Sequence, residues 1–185
     1  MSLLNYPDYS IGLTTLTGWT QSPATSTEYY YATDAKHEPL LVTEDGTPLI
    51  AGTLGSLAIG EWAWGDQDSL GYDTIYARVT GDVDPDTLTM KGSLALTLAT
   101  VTASHSLGIM SIEMCSRELA DAKNIRIIRT NTSDVEFFRA DVGIPASDTV
   151  IFDHGICLAA TEKLKVMCDS ENIAIVVNAN DITNV

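Results

Sequence analysis

Between residues 108 and 179 the chain is cut into seven apolar segments of five to eight residues: "GIMSIEMC", "NIRIIRT", "VEFFRADV", "DTVIFD", "GICLA", "KLKVMC" and "NIAIVVNA". Asn, Asp, Ser, Pro and Gly separate them, and none is long enough for an ordinary helix. Their side chains alternate. Met110, Ile112 and Met114 share one parity, as do Ile125 and Ile127, Leu164, Val166 and Cys168, and Ile173, Ile175 and Val177; Lys163, Lys165 and Arg126 take the other. Strands this close together are joined by hairpins or Greek-key connections. The fold expected over residues 93–185 is therefore an all-β, antiparallel sandwich of jelly-roll type. Ile128, Phe138 and Val176 are expected opposite the core-facing set, as surface in need of cover. "SRELADAK" (116–123) is the one stretch of helical composition, and "TMKGSLALTLATVTASH" suits either a first strand or a connector.

The first half obeys different rules. In "PLLVTEDGTPLIAG" an Asp45-Gly46 pair between apolar runs predicts a tight hairpin. Glycines then recur every few residues through "TLGSLAIGEWAWG", which excludes a long helix and predicts a small glycine-rich β module over 36–92. Residues 1–35, rich in Ser, Thr, Tyr and Pro, show no sustained period and read as an extended N-terminal arm. Its aromatics, Tyr6, Tyr9, Trp19, Tyr29, Tyr30 and Tyr31, are too many for a solvent tail and are the candidate partner-binding anchors.

Charge narrows the function. The formal charge is −15, with 13 acids against 3 bases in residues 1–92 and 12 against 7 in residues 93–185. A nucleic-acid face needs clustered Lys and Arg, and an anionic membrane attracts the same residues, so neither partner is expected. No apolar run reaches the roughly 20 residues of a membrane helix, and "MSLLNYPDYS" lacks the pattern of a signal peptide. The expectation is a soluble protein made in a cytoplasm. Cys115, Cys157 and Cys168 lie in apolar segments without zinc or redox spacing and are expected to be buried thiols.

Reaction signatures are missing. There is no GxSxG elbow or phosphate loop, and His37, His105 and His154 have no metal-ligand spacing, so they are taken as surface or capping residues. Asp153 and His154 are adjacent but have no nucleophile beside them in sequence. Asp66, Asp68 and Asp73, and then Asp82, Asp84 and Asp86, offer hard oxygen ligands at alternate positions. The EF-hand pattern is absent, and Asp in such a setting also bonds its own backbone in turns. The turn reading is preferred: no metal, no cofactor, not an enzyme. Trp62 and Trp64 could stack on sugar rings, but a small module needs large side chains for its core, and that role is the one expected.

"GEWAWGDQDSLGYDTIYARVTGDVDPDT" resembles a short module that recurs in structural proteins of tailed bacteriophages. The positions carrying the likeness are Trp64, Gly65, Asp66, Asp68, Leu70, Gly71, Tyr72, Thr74 and Tyr76, then Asp84, Pro85 and Asp86. The second half is similar in layout to the small jelly-roll domains of virion proteins. The resemblance implies a virion protein without catalytic residues: a capsid decoration protein that binds the major capsid protein or other virion proteins, or a tail adaptor, fibre or baseplate protein. The open strand edges of such a domain lead to the expectation of a homotrimer.

Overall fold

The computed structural model describes residues 2–5, 9–117, 121 and 123–183. In chain order its strands are β1 (Ser2–Asn5), β2 (Tyr9–Ile11), β3 (Thr14–Thr15), β4 (Trp19–Gln21), β5 (Tyr29–Tyr31), β6 (Val42–Glu44), β7 (Thr47–Pro48), β8 (Ile50–Ala51), β9 (Glu61–Gly65) and β10 (Thr74–Arg78). They continue as β11 (Met90–Gly92), β12 (Leu96–Thr100), β13 (His105–Ser116), β14 (Lys123–Thr130), β15 (Glu136–Ile144), β16 (Thr149–Phe152), β17 (Ile156–Leu158), β18 (Lys163–Cys168) and β19 (Ile173–Thr183). Two three-residue 3-10 turns are the only helical elements among the described residues. The protein is all-β.

The chain divides into two compact units, residues 1–12 with 96–185 and residues 13–95. The first is the antiparallel sandwich. One sheet runs β1/β2, β19, β13, β16/β17: β1 and β2 occupy successive stretches of β19, and β16 and β17 successive stretches of β13. The other runs β12, β18, β14, β15. With β1/β2 and β16/β17 each taken as one position, the orders are 1-8-3-6 and 2-7-4-5. Those are the two interleaved Greek keys of a jelly roll. Its core joins the inner faces of both sheets: Ile109, Ile112, Met114, Ile175 and Val177 from one, Ile125, Ile127, Leu164, Val166 and Cys168 from the other.

All seven expected segments are strands, but two bulges change what they bury. Register shifts between Ile109 and Ser111, so Met110 leaves the core and is 44% exposed while Ile112 and Met114 stay inside. On β15 the shift falls where Arg129 pairs with Phe138 and Thr130 with Glu136, leaving Phe137 extra; Phe138 itself shares by plain alternation the side of Ala140 and Val142, which pack on the core, and does not stand opposite the core-facing set. A bulge inverts parity, which strict alternation cannot foresee. Ile128, expected to need cover, is fully buried. Ser116 and Lys123 are strand residues, and the positions between them that a helix would need, 118–120 and 122, lie outside the described residues.

The second unit holds a five-stranded sheet, β4-β5-β10-β9-β8, and a four-stranded one, β3-β11-β6-β7. The expected hairpin forms: Glu44 pairs with Thr47 across Asp45 and Gly46, both at positive φ (48° and 81°), as a two-residue turn of the primed kind requires. The ambiguous stretch splits between the units, β11 in one and β12 in the other.

The extended arm is corrected. Residues 2–5 and 9–11 add β1 and β2 to β19, and residues 13–35 belong to the second unit. Leu16, Trp19 and Tyr31 enter its core beside Val42, Trp62, Ile75 and Met90. The physical reason is burial: Trp19 and Tyr31 pack at 5.9 Å between ring centroids, and the Asp86 carboxylate holds the approach by accepting the N–H groups of Gly18 (2.9 Å) and Trp19 (3.1 Å). An aromatic segment without its own period found a partner sheet within its own chain.

Candidate functional site

The jelly roll leaves one side open where β15 and the β16–β17 pair end their sheets. A groove of about 470 Å³ lies there. Phe138 and Ala140 on β15 and Phe152 and Ile156 on the facing strands form its apolar surface; Arg129, Arg139, His154 and Cys157 complete it. Phe152 and His154 rings sit 5.1 Å apart. Beside the groove, β15 pairs among the described residues with β14 alone, at the edge of its sheet, and the exterior here is apolar: Val135, just before the strand, and Phe137 and Phe138 on it are 55%, 57% and 37% exposed.

His154 Nδ1 lies 3.2 Å from Asp153, and both side chains are open to water. Arg129 is committed to a bidentate pair with Glu162, both contacts at 2.9 Å. Cys157 corrects an expectation: it is exposed, because β17 alternates Ile156 in, Cys157 out, Leu158 in. Cys115 is half-buried and Cys168 buried, where desolvation pushes its thiol up to about 11. His37, expected at the surface, is buried, and His105 is half-buried with Nδ1 2.9 Å from Asp181.

The acidic hairpin loop between β9 and β10 is built from internal bonds. Asp66 accepts the N–H groups of Leu70 (2.6 Å) and Gly71 (2.9 Å); Asp68 accepts Ser22 Oγ–H (3.0 Å) and the Ala24 N–H (3.2 Å). Both donate structure to the module and neither is a free surface acid, which corrects the picture of acids left in water. Asp84 caps the following turn by accepting the Asp86 N–H at 3.0 Å. Asp73 is exposed, and Asp82 pairs with Arg78, whose hydrogen bond holds its carboxyl below the usual range. Trp62 is core, and Trp64 packs against it half-buried. Among the described residues no three His, Cys, Asp or Glu side chains gather as a metal site.

The aromatic anchors are scattered. Tyr6 lies outside the described residues; Tyr9 pairs through its backbone with Ile175. Trp19 and Tyr31 are core residues, which removes them as docking anchors, while Tyr29 and Tyr30 are half-buried on opposite faces of their sheet.

No protein-family model matches the chain, and no curated protein sequence does. Among solved structures it is similar to an uncharacterized protein of Listeria monocytogenes EGD-e in complex with α-D-glucose, β-D-glucose, magnesium and calcium. That likeness has a TM-score of 0.30 at 11% identity, over 76% of this chain and 17% of that one. It is also similar to the cycloalternan-forming enzyme of Listeria monocytogenes in complex with a pentasaccharide substrate, with a TM-score of 0.28 at 10% identity, over 80% of this chain and 17% of that one. The chain thus spans less than a fifth of either protein. A likeness this slight assigns no activity.

The groove and edge were illegible in sequence for a specific reason. Phe138, Phe152 and Ile156 belong to three separate strands, and only the sheet order places them together.

Proposed function

We propose that this chain is a non-catalytic structural protein of a tailed-bacteriophage particle, a decoration protein that binds the outer capsid surface as a homotrimer. It is made in the host cytoplasm and carried on the virion. The observation that supports this reading best is the open side of the jelly roll, where the edge strand β15 displays Phe137 and Phe138, with Val135 just before them, beside an apolar groove. An exposed apolar edge invites association, and a protein that repeats in a symmetric shell uses such edges between copies or on its neighbours. The phage-like motif is consistent with a structural role, since Trp64, Asp66, Asp68, Tyr76 and Asp86 spend their side chains on the module's own packing and hydrogen bonds. The acidic exterior would keep particles apart.

Light scattering on the full chain tests the assembly. A trimer mass at micromolar concentration, reduced to monomer by Phe137→Lys with unchanged melting, is the expected result; a monomeric wild type overturns it. Counting copies per particle separates a capsid cover from the second reading, a tail adaptor, fibre or baseplate protein. That reading draws on Phe138 and Phe152, which could stack on a sugar in the groove, and specific glycan-array binding with few copies per particle would favour it.

A further inference from the structure

Of the four sheet edges of the jelly roll, three are broken. The β1/β2 and β16/β17 edges each consist of two short strands, of four and three residues in both cases, and β12 has five residues with a register shift between Thr97 and Ala99. β15 differs. From Phe138 to Ile144 it pairs with β14 residue for residue, seven in a row, and among the described residues no strand lies on its outer side. Short pieces, bulges, prolines and inward-pointing charges are what keep an edge from pairing with another chain. The stretch 138–144 has none of them: it holds no Pro, its bulge lies outside at Phe137, and Phe138 shares the side of Ala140, Val142 and Ile144, which pack on the core.

The sequence of this edge also complements itself. In "FRADV", residues 138–142, apolar ends enclose a cation, a small residue and an anion, so reversal keeps the apolar ends and exchanges the charges. When two copies of an edge strand pair antiparallel in one continuous sheet, the two-fold axis stands normal to the sheet and each face stays on its own side. The axis therefore passes through one residue. Centred on Arg139 or Asp141, it sets like charge against like charge, which is destabilising. Centred on Ala140, it sets Arg139 against Asp141 twice on the outer face and Phe138 against Val142 twice on the inner one. The Arg139 guanidinium is available for this: it approaches its own Asp141 only to 3.7 Å, longer than a hydrogen bond, while Arg126 already holds that carboxylate at 2.7 Å. The stretch 138–144 is neutral in a chain of charge −15, so two copies can meet here without the repulsion the rest of the surface brings.

We propose that β15 is a self-docking edge, at which two copies of this chain join β15 to β15 about Ala140 and make one continuous sheet of their two four-stranded ones. The contact goes beyond the trimer and does not rest on it. An isologous pair is complete with two members and cannot close a three-fold ring; where trimers form, it links a copy in one to a copy in the next.

The test uses the full chain with Cys157→Ser, which removes the exposed native thiol, and Ala140→Cys, which puts a thiol on the axis. Mild oxidation should give a covalent dimer on a non-reducing gel. Gly143→Cys in the same background checks the register: position 143 would lie about 20 Å from its twin, six residues' rise along the strand, and the chain should stay monomeric. Adding Arg139→Asp to Ala140→Cys places like charges opposite each other on both sides of the axis and should lower the dimer yield about tenfold, with melting unchanged. No dimer from Ala140→Cys, or an equal yield from Gly143→Cys, overturns the contact. A trimer mass by light scattering with no Ala140→Cys dimer removes this contact and leaves the trimer standing; a dimer mass with that cross-link does the reverse. If Ala140→Cys does not fold, loss of self-association in Arg139→Asp, read by sedimentation, decides by itself.

Discussion

At the scale of single residues, three thiols and one carboxylate make sharp tests. Cys157 is exposed, Cys115 half-buried and Cys168 buried with its thiol pushed up to about 11. Only thiolates react, so a native-state titration with a thiol reagent should show one fast cysteine, lost in Cys157→Ser. Two fast thiols would contradict this burial. Asp134 tests pH. Burial alone would raise its carboxyl, but hydrogen bonds from Lys165 (2.6 Å) and Lys163 (3.0 Å) outweigh that and hold it low. Because its folded value lies below the unfolded one, the stabilisation is present above about pH 4 and is lost as pH falls through the folded value. Melting temperature should drop with acid in that window, with a shallower slope in Asp134→Asn. An identical slope in the variant would place the acid sensitivity elsewhere, as at Asp141, held low mainly by the Arg126 hydrogen bond.

At the scale of elements, turns and bulges decide what the strands mean. Gly46 stands at φ 81° in the β6–β7 hairpin with nothing near its absent Cβ, so Gly46→Ala should cost about 1 kcal/mol from backbone strain alone. Denaturant melts give that number, and a neutral result would mean that the hairpin relaxes. In the sandwich, Ile112 is fully buried between sheets, and Ile112→Ala should cost about 2–5 kcal/mol; Met110→Ala, two residues away but bulged outward, should cost far less. Equal losses would deny the bulge. The Asp45-Gly46 turn was legible because it is local chemistry. The bulges were not, since a bulge depends on which strand lies opposite.

At the scale of the whole molecule, the N-terminal 35 residues belong to both units. They supply β1 and β2 to one and β3, β4 and β5 to the other. Deleting residues 1–35 should therefore abolish cooperative unfolding in both, seen as loss of dispersed methyl signals by NMR, whereas a detachable arm would leave the sandwich intact. Sequence by itself determined the all-β class, the seven strands of the second half, the Asp-Gly hairpin and the tryptophan core of the module. Those rest on alternation, turn residues and side-chain size, which act over a few neighbours. Tertiary structure alone decided that Trp19 and Tyr31 are core, that Cys157 is exposed, that the jelly-roll order gathers Phe138 with Phe152, and that Asp68 accepts the Ser22 hydroxyl. Each of those joins residues far apart in the chain, and such pairings are set by which surfaces bury most area together, a quantity no local window of sequence contains.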